Sequence, residues 1–136
     1  MTFRIEEKIP LSSSDMTMLF QNLTKDGMKP LFKKRKIFST YFETASLKMF
    51  NDSMEGVLPR KKIRIRHYPD TKLKYLLEIK YSSIDGRFKK SNSISVDEYG
   101  KYLKSGIFDN LYGICMPLLE VIYEREYYKF KGIRLT

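Results

Sequence analysis

Arg60, Lys62, Arg64 and Arg66 stand at alternate positions, with Tyr68 two residues further on and Ile63 and Ile65 in between. Successive side chains of a β-strand point to opposite faces, so the four cations and the tyrosine would share one face and the isoleucines the other. Like charges in register along a sheet repel one another. An ordinary solvated face has no reason to collect them, and a bound polyanion supplies one.

The rest of the composition bounds the partner without choosing it. The chain has 136 residues, enough for one domain with a real core, and a net charge of +10. Such a balance points to an anionic partner: nucleic acid, phosphorylated small molecules, polyphosphate or an acidic membrane surface. Apolar residues make up 42% of the chain, which favours a folded protein, and the ten tyrosines and nine phenylalanines lean toward β structure. Cys115 is the single cysteine and His67 the single histidine, so an intrachain disulfide and multi-histidine or multi-cysteine metal centres are excluded. His67, beside the basic run, reads as a strand filler. No signal pattern opens the sequence, and no apolar run approaches the about 20 residues of a membrane span. The expectation is a cytoplasmic protein.

The elements that must position the cations read as follows. Residues 3–9 alternate as a strand, with Arg4, Glu6 and Lys8 on one face. Ser12 to Asp15 offer N-cap chemistry, and Met16, Leu19, Phe20 and Leu23 recur at helical spacing until Asp26-Gly27. Lys33-Lys34-Arg35-Lys36 follows a loop at Pro30 and has the look of a nucleic-acid patch, although such clusters are common on solvated faces. Strands are expected at 37–42, at the basic segment and at 73–82, with Leu76, Glu78 and Lys80 on one face and Tyr75, Leu77, Ile79 and Tyr81 on the other. Asp85-Gly86 reads as a hairpin turn into a strand at 87–96. A helix over 97–104, a long strand over 118–130, a turn at Lys131-Gly132 and a final strand from Ile133 complete the chain; 107–117 is not legible.

The oddity of the basic run recurs. Arg4/Glu6/Lys8, Glu78/Lys80 and Tyr123/Arg125 also place charged or polar groups on one strand face. A barrel or tunnel with a polar interior accommodates this, its apolar residues packing outward against helices. A multiply charged phosphate chain would offset the repulsion inside.

Five motifs in order, Arg4-x-Glu6-x-Lys8, Tyr41-Phe42-Glu43-Thr44, Arg60-x-Lys62-x-Arg64-x-Arg66-x-Tyr68, Glu78-Ile79-Lys80 and Tyr123-Glu124-Arg125, resemble the VTC domain. This is the polyphosphate-polymerase branch of the triphosphate tunnel metalloenzyme, or CYTH-like, superfamily, and the terminal Gly132-Ile133-Arg134-Leu135-Thr136 resembles the start of its Arg-x-Thr strand. The resemblance implies an α+β fold over 1–136 as a single domain, an antiparallel β-barrel or tunnel with a basic interior and a few flanking helices. It implies phosphate contacts from Lys8, Lys62, Arg64, Arg66, Lys80, Lys90, Arg125 and Arg134, with Arg64, Arg66 and Lys80 at the catalytic centre. Glu6 and Glu78 fall at acidic positions suited to a divalent metal, Mn2+ or Mg2+, or to orienting cations. The implied reaction moves the terminal phosphoryl group of ATP onto a polyphosphate chain, and needs mainly positioning and charge stabilisation from the protein.

The sequence also departs from the family pattern. Glu43 stands where Asp is usual, and Asn92 replaces the arginine of a Lys-x-Arg pair that begins at Lys90. The resemblance implies a late metal-binding glutamate after the Arg-x-Thr strand, and it is expected beyond Thr136. The expectation is therefore a missing C-terminal segment, an oligomer that completes the tunnel, or lost metal-dependent activity. The alternatives are a module that binds polyphosphate or triphosphate without turnover, a triphosphate hydrolase, and, further off, a nucleic-acid-binding domain using interleaved aromatic and basic residues.

Overall fold

The computed structural model describes residues 6–70 and 74–136. Among these described residues, three helices and seven strands follow the order α1 (Ser13–Lys25), β1 (Lys29–Glu43), α2 (Lys48–Glu55), β2 (Arg60–His67), β3 (Tyr75–Ser83), β4 (Gly86–Ile94), α3 (Val96–Ser105), β5 (Ile107–Asp109), β6 (Gly113–Phe130) and β7 (Ile133–Leu135). The strand order is β4-β3-β2-β1-β6-β5, with β7 paired to β6. Pairing is antiparallel at β1–β2, β2–β3, β3–β4, β5–β6 and β6–β7. The α+β class and the antiparallel sheet agree with the sequence. The chain divides into two units, Arg35–Arg125 and Met1–Lys34 together with Glu126–Thr136.

In the larger unit, register assigns every side chain of β2 to a face. Ile63 pairs with Phe42 and Ile79, and Ile65 with Thr40 and Leu77. Ile63, Ile65, Phe42 and Tyr75 form the core with Met49 of α2, Ile107 of β5 and Cys115 of β6, and Tyr99 and Tyr102 of α3 pack against it. Each fully buried isoleucine contributes about 2–3 kcal/mol by leaving water. Burial pushes the Cys115 thiol up to about 11, so this cysteine behaves as a small core hydrophobe. His67 lies between rings, stacked on Phe38 at 4.9 Å and facing Tyr75 at 4.9 Å, where burial lowers its pKa against the opposing pull of Glu120.

Polar side chains also tie these elements together. Glu43 accepts from the backbone N–H groups of Met49 and Phe50 at 3.0 and 2.8 Å. It thereby caps α2, whose own N-cap, Leu47, is left-handed at φ 56° and supplies no side-chain acceptor. Lys61, on the apolar side of β2, reaches Asp109 at 2.7 Å and Asn110 at 2.6 Å and lies over the Tyr81 ring. A buried lysine needs such a partner. α3 carries a full capping box between Ser95 and Glu98.

In the smaller unit, Ser12 caps α1, as its sequence indicates. Phe20 meets the edge of Tyr128 at 5.1 Å and Phe32 that of Tyr127 at 5.8 Å, while β7 pairs with the end of β6.

Several expectations are corrected. Residues 6–9 have no regular structure; residues 3–5 of that expected strand, and Leu73 at the start of another, lie outside the described residues. Pro30 opens no loop, because β1 runs from Lys29 through the whole Lys33 to Lys36 cluster. Proline is tolerated at the first positions of a strand. Tyr68 falls just past the end of β2. The β3–β4 turn is one residue earlier than expected, with Ser83 paired to Gly86 around Ile84 and Asp85. The illegible 107–117 stretch contains all of β5 and the first residues of β6.

Candidate anion-binding face

The face of the larger unit opposite its core carries the basic residues. Register gives it as successive rows across β1 to β4: Ser39, Arg66, Leu76 and Ser93; Tyr41, Arg64, Glu78 and Ser91; Lys62, Lys80 and Lys89; Arg60, Ser82 and Arg87. Directly opposed lysines destabilise a sheet. The row of Lys62, Lys80 and Lys89 therefore carries an electrostatic cost that a ligand with several negative charges removes.

Arg64 and Arg66 are buried within this face, at 9% and 8% exposure. The Arg64 Nε donates to Glu78 Oε2 at 2.6 Å, its Nη2 lies 2.6 Å from the same oxygen, and its Nη1 donates to the Tyr41 hydroxyl at 3.0 Å. Burial alone would lower the Arg64 pKa, but Tyr41 and Glu78 outweigh it and raise the value, so the guanidinium stays charged. Arg66 Nε donates to Ser39 Oγ at 3.2 Å and its Nη2 to the Tyr123 hydroxyl at 3.0 Å. Arg125 Nη2 donates to that hydroxyl at 3.3 Å. Short Ser39, directly opposite Arg66, leaves room for the guanidinium to cross β1 toward β6.

Glu78 is 2% exposed. Its second oxygen, Oε1, accepts from Lys89 Nζ at 2.8 Å. Burial would raise its pKa, yet Lys89 and Arg64 together hold it below the ordinary glutamate range. Of the two roles expected for this acid, orienting cations is therefore the one its contacts perform. Each Glu78 oxygen thus accepts from a cation of the protein, and among the described residues no three His, Cys, Asp or Glu side chains cluster to hold a metal. Partial burial, followed by the Arg64 and Arg66 charges, lowers the Lys80 pKa against the opposing pull of Tyr41 and Glu78.

The expected site residues sort accordingly. Arg64, Arg66, Lys80, Lys62 and Glu78 share one face, and Arg125 is joined to it through Tyr123. Lys90 does not join them: it pairs with Ile79, on the side of the core, and Lys89 takes its place. Glu6 and Lys8 are exposed and outside regular structure, and Arg134 pairs with Lys129 on β7; all three belong to the smaller unit. Lys89 was detectable from sequence. A two-residue hairpin loop pairs residues of opposite number parity, so an odd position on β4 must face Lys80. The exchange predicts that Lys89→Ala weakens binding of inorganic tripolyphosphate about tenfold in calorimetric titration, whereas Lys90→Ala leaves it within twofold.

A buried arginine pair within a basic antiparallel sheet gives this α+β protein a candidate anion-binding face. The sequence model of the VTC domain matches residues 3–136, and the chain belongs to the VTC domain family. No curated protein and no solved structure matches the chain. Among the described residues no helix is long and apolar enough to cross a membrane.

Proposed function

We propose that this chain is a polyphosphate polymerase domain that binds ATP and polyphosphate along the Arg64, Arg66 and Lys80 face and transfers the terminal phosphoryl group of ATP to the growing chain. The observation that carries this reading is the placement of Arg64 and Arg66. Both are buried, charged and fixed by neighbours before any ligand arrives, which is how charge developing on a transferred phosphoryl group is stabilised without reorganisation. Membership of the VTC family supports the same chemistry. Lys62, Lys80, Lys89 and Arg125 of the larger unit would take further phosphates. Mn2+ or Mg2+ would be carried by the phosphate oxygens, since Glu78 is engaged by Arg64 and Lys89. A donor such as ATP is consistent with a cytoplasmic setting.

A second reading, a module that grips triphosphate or polyphosphate without turnover, draws support from those same Glu78 contacts, in which both oxygens of the acid accept from cations of the protein. Product analysis separates the two. Incubated with ATP and Mn2+ or Mg2+, the polymerase releases ADP and builds a polymer resolved on a gel; a hydrolase releases orthophosphate without polymer. Folded protein that binds tripolyphosphate and turns over no nucleotide would sink the enzyme reading and leave the binding module.

A further inference from the structure

We infer that Tyr123 is a positioning residue that locks Arg66 and Arg125, from different strands, into one anion clamp. The inference rests on the phosphate-binding reading of this face. Arg66 of β2 and Arg125 of β6 both donate an Nη2 hydrogen bond to the Tyr123 hydroxyl, at 3.0 and 3.3 Å. Two guanidinium groups side by side repel each other. A shared neutral acceptor holds them adjacent without neutralising either, which a carboxylate in the same place would do. The Arg125 guanidinium also lies 5.3 Å from the centroid of the Tyr123 ring, so the tyrosine fixes this arginine by its face as well as its hydroxyl.

The contrast with Arg64 gives the hydroxyl its meaning. Arg64 is steadied by Glu78, an anion that takes up part of its charge. Arg66 is steadied by two neutral oxygens, Ser39 Oγ and the Tyr123 hydroxyl, and keeps its full charge for a ligand. An arginine side chain loses substantial rotamer freedom when it is immobilised. A strut that removes this freedom before binding raises affinity by preorganisation, without adding a ligand contact.

The test is calorimetric titration of inorganic tripolyphosphate into the full chain at several salt concentrations. Tyr123→Phe keeps the ring and removes the struts. It is expected to weaken binding about tenfold while leaving the slope of log affinity against log salt unchanged, because both cations remain. Arg66→Lys is expected to cost about tenfold in the wild-type background and less than twofold in Tyr123→Phe, where the planar fork is no longer held. Should Tyr123→Phe fail to fold, the Arg66→Lys and Arg125→Lys cycle carries the test: a shared strut makes the double variant lose less than the two single losses combined. Wild-type affinity in Tyr123→Phe, an equal cost of Arg66→Lys in both backgrounds, or a shallower salt slope overturns the inference and leaves the phosphate-binding reading standing. A wild-type chain that does not bind tripolyphosphate overturns both.

Discussion

The chain carrying both Arg64→Ala and Arg66→Ala is expected to lose at least a hundredfold in affinity for inorganic tripolyphosphate and, on the polymerase reading, to make no polymer from ATP. A hydrogen bond to a charged group is worth about 1.5–3 kcal/mol. Loss of one such interaction from each arginine therefore removes about 3–6 kcal/mol, or a factor between about a hundred and ten thousand. The two arginines contribute through different surroundings. Arg66 leaves only neutral Ser39 and Tyr123 behind, so Arg66→Ala alone should lower affinity with little loss of fold. Arg64 leaves the buried carboxylate of Glu78 with Lys89 as its one remaining cation contact. Near-UV circular dichroism separates lost binding from lost fold, and adding Glu78→Gln to the double variant removes the stranded charge. A natively folded double variant that binds tripolyphosphate within threefold of wild type would remove the arginines from the site.

The sequence discloses parts of this arrangement because they depend on local period. The alternation from Arg60 to Arg66 identifies a strand with one basic and one apolar face, and the register confirms both faces, with Ile63 and Ile65 in the core. Ser12 likewise marks the start of α1 through side-chain chemistry that acts within one turn. Where two elements must meet, the signal fades. Ser39 is an ordinary strand serine until pairing sets it opposite Arg66. Tyr123 and Arg66 are far apart in the chain, and their hydrogen bond depends on β1 lying between β2 and β6. The start of β1 is hidden because Pro30 and four consecutive cations read as a loop, although a proline near the beginning of a strand removes few ladder bonds. Residues 107–117 are hidden for another reason: β5 has three residues, too few to show a period of two.

Lys89 and Glu78 illustrate an intermediate case. Each is visible as a charged strand residue, but its role follows from register, and register follows from the hairpin at Ile84 and Asp85. Once Lys80 is set opposite Lys89, and Glu78 opposite Arg64, the chemistry is fixed. Glu78 is the single acid in the rows across β1 to β4, and the two cations it holds come from the strands on either side of its own. An acid so placed reduces the self-repulsion of the face at one point and leaves the lysine row with an excess of positive charge.

Glu78→Gln should accordingly destabilise the folded chain by about 3 kcal/mol at neutral pH, the scale expected when one partner of a buried ion pair is removed and the other charge stays buried. Urea denaturation at pH 7 measures it. The pH dependence identifies the cause. Arg64 and Lys89 hold the folded Glu78 pKa below its unfolded value of about 4.3, so the unfolded chain binds this proton first as the solution is acidified. The contribution of the carboxylate is thus fully present above the unfolded value and drains away as pH falls through the lower, folded one. The gap between wild type and Glu78→Gln should be constant from pH 7 to about 5.5 and narrow below about 4.3. Tripolyphosphate should narrow it as well at pH 7, since an anion over Arg64 and Lys89 supplies the negative charge that the variant lacks. A gap that ignores both acid and tripolyphosphate would make the loss one of packing and deny Glu78 its electrostatic role.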